Sequence, residues 1–310
     1  MTINMKGKNL VSIDDLSREE VNQILTTAET LKIKHYANDI SPVLTGKVLG
    51  MIFQKPSLRT RVSFESGMIQ LGGQAIYLGP DDIKLGQREA TKDIAKVLSR
   101  YVHAIMARTF SHEVVLDLAK YATVPVINGL SGLLHPCQAL GDLLTIKEKK
   151  RILNNLKLAF IGDGNNVFNS LVFGAVKVGM DITIAAPESY EPKPEIIEKA
   201  TKDAIKTGSK IKITHDPCEA VKDADVIYTD VWTSMGFEKE KETRKNAFQL
   251  FQVNQKLVDQ AKEEVIILHC LPAHRGEEIT DEVIDSNQSV VIDQAENRMH
   301  AQNAVLSLLM

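Results

Sequence analysis

At 310 residues the chain is long enough for two domains, each with its own core. Its 44% apolar and 25% charged residues and net charge of −3 fit an ordinary globular protein, with no bulk attraction to nucleic acid or an anionic membrane. No apolar run reaches a membrane span, and the first residues lack a signal-peptide core. The scattered Cys137, Cys218 and Cys270 make neither a disulfide framework nor a zinc site, so a reducing cytoplasm is the expected setting.

Residues 1–45 read as an opening segment with one helix. Ser12 and Ser17 are its candidate caps, and Leu16, Val21, Ile24, Leu25, Ala28 and Leu31 form its apolar face. Strand-like apolar runs follow at 47–53, 74–78, 103–107 and 124–127, with helical patterns over 57–71, 90–101 and 111–121 between them. That alternation predicts a parallel sheet with helices on both faces. A longer helix over 136–149 starts at His135-Pro136, Pro fitting the first helical position, and ends in the charged run Lys147–Arg151. Strands resume at 156–161, 181–186, 211–214, 225–229 and 265–268, and a last helix spans 294–309. The expected fold class is therefore α/β, with two doubly wound domains, each a parallel sheet flanked by helices.

One stretch organises the rest: Gln54-Lys-Pro-Ser57-Leu58-Arg59-Thr60-Arg61-Val-Ser-Phe64-Glu65. Pro56 breaks the strand before it, Ser57 has the chemistry of an N-cap, and Phe64, Met68 and Leu71 recur as one helix face. A helix starting here aims unsatisfied N–H groups and the positive end of its dipole outward. Ser57, Arg59, Thr60 and Arg61 add hydroxyls and guanidinium charges, which suits a phosphate-like dianion. An isolated Arg-x-Arg is more often a solvated helix start. Here, Ser-x-Arg-Thr-Arg after a strand resembles the Ser-Thr-Arg-Thr-Arg phosphate signature of the aspartate and ornithine carbamoyltransferases. Leu58 departs from the Thr of that signature, a small change if the position supplies its backbone N–H.

The later motifs extend the resemblance. Arg108 follows Ala104-Ile-Met-Ala107, and His135-Pro-Cys-Gln138 follows Asn128-Gly-Leu-Ser-Gly. In the family the matching residues polarise the carbamoyl carbonyl. Arg108, His135 and Thr60 then form an oxyanion site, with Gln138 accepting from the carbamoyl NH₂. The Asp81–Glu89 loop matches one that reaches into a neighbouring subunit's site. Lys84 stands there where ornithine enzymes often carry Gln or His, and Glu89 is expected to pair with Arg61 across that interface.

Phe160-Ile-Gly162-Asp-Gly164-Asn-Asn166 mimics a dinucleotide fingerprint. Val167 replaces its third Gly, Asp163 would repel a pyrophosphate, and no acid ends the next strand, so a nicotinamide dehydrogenase fails as a reading. In the ornithine enzymes the second Asn contacts the amino acid, and Asn166 matches it. Asp230-Val-Trp-Thr-Ser234-Met235-Gly236 sets a carboxylate and a hydroxyl at a strand end, suiting a cationic amine and the groups of an amino acid. This full form separates ornithine enzymes from aspartate ones. The polar residues 238–245 read as a mobile segment that closes over substrate.

His269-Cys270-Leu271-Pro272 invites a zinc reading, but neighbours on extended chain point to opposite sides, and no second Cys lies at metal spacing. His-Cys-Leu-Pro is instead an ornithine-enzyme signature. The resemblance places Cys270 beside Asp230 and the reacting amine, the Leu271 carbonyl on the carbamoyl NH₂, and Arg298 on carbamoyl phosphate. A cis Leu271–Pro272 bond is compatible with the motif.

The resemblance covers nearly the whole chain. It implies transfer of the carbamoyl group from carbamoyl phosphate to the δ-amine of L-ornithine, giving L-citrulline and phosphate, with no metal or other cofactor. Expected carbamoyl phosphate ligands are Ser57, Leu58, Arg59, Thr60, Lys84, Arg108, His135, Gln138, Cys270, Leu271 and Arg298. Expected ornithine ligands are Asn166, Asp230, Ser234 and Met235, and the catalytic set is Arg108, His135, Gln138, Asp230 and Cys270. Residues 1–134 with the helix at 294–310 make the carbamoyl phosphate domain, 135–149 a linking helix, and 150–293 the ornithine domain. A homotrimer, or an assembly of trimers, is the expected state. The rival readings are a carbamoyltransferase for another amine such as putrescine, and a non-catalytic binding protein of the same fold.

Overall fold

The structure is a computed structural model that describes residues 3–39, 42–83, 85, 89–234, 236 and 238–310. The chain divides into two compact units, Met1–Leu144 with Asn297–Met310, and Thr145–Glu296.

The first unit opens on α1 (Arg18–Tyr36), started by a capping box. The Ser17 hydroxyl accepts from the Glu20 N–H at 3.2 Å, and the Glu20 carboxylate accepts from the Ser17 N–H at 2.9 Å. Then come β1 (Val48–Phe53), α2 (Leu58–Gln70), β2 (Gln74–Leu78), α3 (Pro80–Ile83) and α4 (Thr91–Leu98). They are followed by β3 (Ala104–Arg108), α5 (His112–Tyr121), β4 (Val126–Leu130) and α6 (Pro136–Lys150). The four strands are parallel in the order β2-β1-β3-β4. Their apolar runs are buried from end to end in β3 and β4, as a sheet covered on both faces requires.

The second unit carries β5 (Lys157–Ile161), α7 (Asn166–Val178), β6 (Asp181–Ala185), α8 (Pro194–Thr207), β7 (Ile211–Thr214) and α9 (Pro217–Val221). After these come β8 (Val226–Thr229), α10 (Lys241–Phe248), α11 (Gln255–Val258), β9 (Ile266–His269), α12 (Asp281–Ile284) and α13 (Val291–Leu309), whose last residues from Asn297 belong to the first unit. Its sheet is parallel too, ordered β7-β6-β5-β8-β9. Trp232, Phe248, Phe251, Ile227, Ile267 and Val283 belong to one buried cluster of this unit.

Each sheet reverses its winding once, between β1 and β3 in the first and between β5 and β8 in the second. Parallel sheets bind ligands in the crevice outside the carboxyl ends of the strands at that reversal. In the first unit those ends lead into Gln54–Thr60 and Arg108. In the second they lead into Gly162–Asn166 and Asp230.

The strands agree with the sequence pattern except at β4, which starts later and runs further than the expected 124–127. Pro125 has no N–H, so it joins the ladder only through its carbonyl, which accepts from the Ile105 N–H at 2.8 Å. A register shift after Ala107 then carries the pairing to Arg108↔Leu130. Residues 241–245, part of the expected mobile stretch 238–245, instead begin α10, in which Arg244 and Phe248 are buried. Among the described residues no helix is long and apolar enough to cross a membrane.

Candidate active site

In the first unit, β1 delivers its chain to Ser57, which caps α2 by accepting from the Thr60 N–H at 3.3 Å. Leu58 is the first helical residue and its side chain is 76% exposed, so only its backbone faces the cap. Thr60 is fully buried and accepts from an Arg108 Nη at 3.4 Å. Arg108 ends β3 beside Phe53, and its carbonyl accepts from the Gln54 N–H at 2.8 Å, so the two strand ends are tied together. Arg61 points elsewhere: it stacks 3.9 Å from the Tyr77 ring centroid and pairs with Glu65 at 3.1 Å.

His135 precedes the first residue of α6 and is buried. Burial first, then the charges of Arg298, Arg108, Lys55 and Arg59, hold its imidazole well below the usual histidine range. The ring is therefore neutral at pH 7, inside a ring of cations. One turn on, the Gln138 carbonyl Oε1 accepts from Arg298 at 3.2 Å and its Nε2 donates to Asp142 at 2.8 Å. A fixed positive field around neutral hydrogen-bonding groups, at the start of a helix, suits a dianion with a polarisable carbonyl. Lys55, buried over the Phe110 ring at 5.0 Å, adds a cation that the sequence reading did not single out.

In the second unit Asp230 follows β8 and is 7% exposed. One oxygen accepts from the Cys270 thiol at 3.0 Å and from the Val231 N–H at 2.8 Å, and the other from Asn165 Nδ2 at 2.7 Å. Asn165 also caps α7, its Oδ1 accepting from Val167 and Phe168 N–H at 2.9 and 3.2 Å. Asn166, next along, is half-exposed, as is Ser234. Leu271–Pro272 is cis, and the Leu271 N–H donates to His269 Nδ1 at 2.9 Å. That bond makes Nδ1 the acceptor, so the proton sits on Nε2 and is donated to Glu278 at 3.0 Å. Both partners are fully buried.

Gly164 has a packing reason rather than a phosphate one. A Cβ there would come within 2.2 Å of the Pro192 nitrogen, so the loop needs Gly to pass the 191–192 backbone. Asp163, its carboxylate pKa raised by burial against the pull of Arg244, pairs with that arginine at 2.7 Å. Arg244 also donates to Glu240 and to the Trp232 carbonyl, at 3.0 and 3.1 Å, and lies 4.9 Å from the Tyr190 centroid.

Among the described residues two groups could offer ligands to a metal ion: Asp230, His269 and Cys270, and His274, Glu277 and Glu278, in each case with ligand atoms within 4.8 Å of one another. Alternation along a strand does not keep His269 and Cys270 apart, because β9 ends at His269. Both nitrogens of His269 are nevertheless engaged, by Leu271 and Glu278.

The first unit thus brings together Ser57, Arg59, Thr60, Arg108, His135, Gln138 and Arg298, and the second gathers Asp230 and Cys270. Lys84 and Met235 lie outside the described residues. Sequence reasoning missed Asn165, Arg244 and Asp142. Asn165 alone carried a signal, as an Asn directly before a helical pattern.

Known proteins divide the chain at nearly the same place. The carbamoyl-P binding domain of the aspartate/ornithine carbamoyltransferases matches residues 8–148, and their Asp/Orn binding domain matches residues 154–309. Ornithine carbamoyltransferase of Thermococcus kodakarensis is 55% identical over 310 residues, covering 100% of this chain and 98% of the relative. That of Halalkalibacterium halodurans is 56% identical over 308 residues, with 99% and 97% covered. The solved ornithine carbamoyltransferase of Pyrococcus furiosus superposes with a TM-score of 0.98 at 54% identity, covering 100% of this chain and 99% of that one. Matched along both units at more than half its positions, this chain belongs to the aspartate/ornithine carbamoyltransferase family.

Proposed function

We propose that the chain is an ornithine carbamoyltransferase: it moves the carbamoyl group of carbamoyl phosphate to the δ-amine of L-ornithine, giving L-citrulline and phosphate. The observation that carries the reading is Asp230, a buried carboxylate fixed by Asn165, Val231 and the Cys270 thiol at a strand end of the unit that matches the family's Asp/Orn binding domain.

The capped start of α2, with Ser57, the Leu58 N–H, Arg59 and Thr60, takes the phosphate. Arg108, neutral His135 and Thr60 face the carbamoyl oxygen, and Gln138 Oε1 takes the carbamoyl NH₂. Arg298 completes the cationic wall. These donors are already in place, so charge building on the oxygen is stabilised without reorganisation. A neutral His135 donates one N–H without adding charge of its own.

Like a lysine amine, the ornithine δ-amine has an unperturbed pKa near 10.4, so most of it is cationic at pH 7. Asp230 attracts that cation and Cys270 orients it, while Asn166 and Ser234 serve the amino-acid end of the substrate. The amine gives up its proton as it attacks the carbamoyl carbon, and the departing phosphate oxygens accept it. A cytoplasmic trimer that makes citrulline for arginine synthesis completes the reading; the 54%-identical Pyrococcus furiosus relative is called anabolic.

Citrulline formation, measured with ornithine and putrescine in parallel, tests the assignment. Ornithine turns over and putrescine does not. Faster carbamoylation of putrescine would move the substrate, and no product from either amine would leave a binding protein.

A further inference from the structure

We infer that Asp142 is a positioning residue: its carboxylate sets which way the Gln138 amide faces, and Gly141 lets α13 bring Arg298 to the other end of that amide. The inference rests on the carbamoyl phosphate site proposed above and adds two residues to it.

The two ends of a glutamine amide are nearly the same size, so only its partners decide where the oxygen points. Gln138 is 1% exposed and Asp142 fully buried, which leaves protein groups to make that choice. Four residues apart on α6, they share one face. Asp142 Oδ1 accepts from Gln138 Nε2 at 2.8 Å, so Nε2 faces it. Arg298 only donates, so Oε1 must face Arg298, as it does at 3.2 Å. The two constraints agree and leave the second lone pair of Oε1 for a carbamoyl NH₂.

Gly141 supplies the approach. A Cβ there would lie 2.9 Å from Arg298 Cα and 3.1 Å from its nitrogen, atoms of the α13 backbone that no rotamer change can move. Without Asp142 only Arg298 still selects between the two orientations, and the amide turns over part of the time. Nε2 then faces the substrate's NH₂, donor against donor.

A double-mutant cycle on the full-length enzyme tests this, read as kcat/KM for carbamoyl phosphate at saturating ornithine. D142A and Q138A each lose roughly 10²-fold, the scale of a misplaced contact, and the double variant loses no more than Q138A alone. The KM for ornithine stays within about twofold in D142A, as expected when the change is confined to the other substrate's contacts. Losses that multiply in the double variant, or wild-type activity in D142A, would overturn the inference. An isosteric set covers the case in which D142A does not fold. Q138E sets carboxylate against carboxylate and is impaired, whereas Q138E/D142N reverses the hydrogen bond and regains about tenfold or more over Q138E. D142N adding its own loss to that of Q138E would equally overturn it. A wild-type protein that makes no citrulline sinks the function proposed above. An active wild type with independent D142 and Q138 effects sinks only the positioning role.

Discussion

Replacing Asn165 separates two jobs that one side chain performs. Its Oδ1 caps α7, and its Nδ2 donates to Asp230 at 2.7 Å. Serine is as good a cap as asparagine but too short to keep the second bond, and alanine loses both. A hydrogen bond to a charged group is worth about 1.5–3 kcal/mol, and a cap about 1 kcal/mol. Asp230 keeps the Cys270 and Val231 donors on one oxygen but loses the bond that fixes the other. If the whole lost bond appears as weaker ornithine binding, N165S and N165A share a rise in ornithine KM of about 10- to 100-fold. They differ in stability by the cap alone, with N165A unfolding about 1 kcal/mol more easily. Citrulline formation at saturating carbamoyl phosphate gives the first number and urea unfolding the second. An ornithine KM within twofold of wild type in N165S would refute the claim that Asn165 holds the amine-binding carboxylate.

Replacing Cys270 with Ser weakens ornithine handling and spares carbamoyl phosphate, read from the two KM values; equal weakening of both would contradict the thiol's place beside Asp230. His135, with its folded pKa lowered, takes up a proton more readily when unfolded, so its contribution to stability is present above pH about 6.5 and is lost as pH falls below it. Stability from this group drops by about 1 kcal/mol between pH 6.5 and 5.5 and approaches about 1.4 kcal/mol per pH unit below that, and H135N flattens the slope of Tm against pH over this range. An unchanged slope in H135N would place the proton uptake elsewhere. Removing Arg244 as R244Q leaves Asp163 buried without its partner and costs about 3 kcal/mol or more in urea unfolding. Part of this returns in R244Q/D163N; no recovery would mean that the cost comes from lost packing instead.

The parts of the fold legible in the sequence are those set by local pattern. Fully buried parallel strands such as Ala104–Arg108 read as short apolar runs, and Ser17, one of two candidate caps with Ser12, does start α1. Arg108, His135 and Gln138 stood out because each sits where a strand or helix begins or ends. The polar stretch before Phe248 hid its helix because its order comes from Arg244 reaching Asp163, a partner 81 positions away. Asp230 and Asn165 are likewise 65 residues apart and meet only because β5 and β8 pair. Such contacts depend on the strand order of the sheet, which no local spacing encodes. Asp142 escaped notice for another reason. A carboxylate in mid-helix reads as a solvated face until the close approach of Arg298 at Gly141 shows that face to be covered.

The central claim is that each unit holds its own substrate: guanidinium groups and a neutral imidazole keep the acyl phosphate, while Asp230 keeps the amine. Direct binding of carbamoyl phosphate to the free enzyme, measured by calorimetry on R108A and D230N, tests it most plainly. The account predicts that R108A loses measurable binding, whereas D230N binds carbamoyl phosphate as wild type does and yet makes citrulline at least about 10²-fold more slowly. A D230N protein that binds carbamoyl phosphate as poorly as R108A would contradict the division.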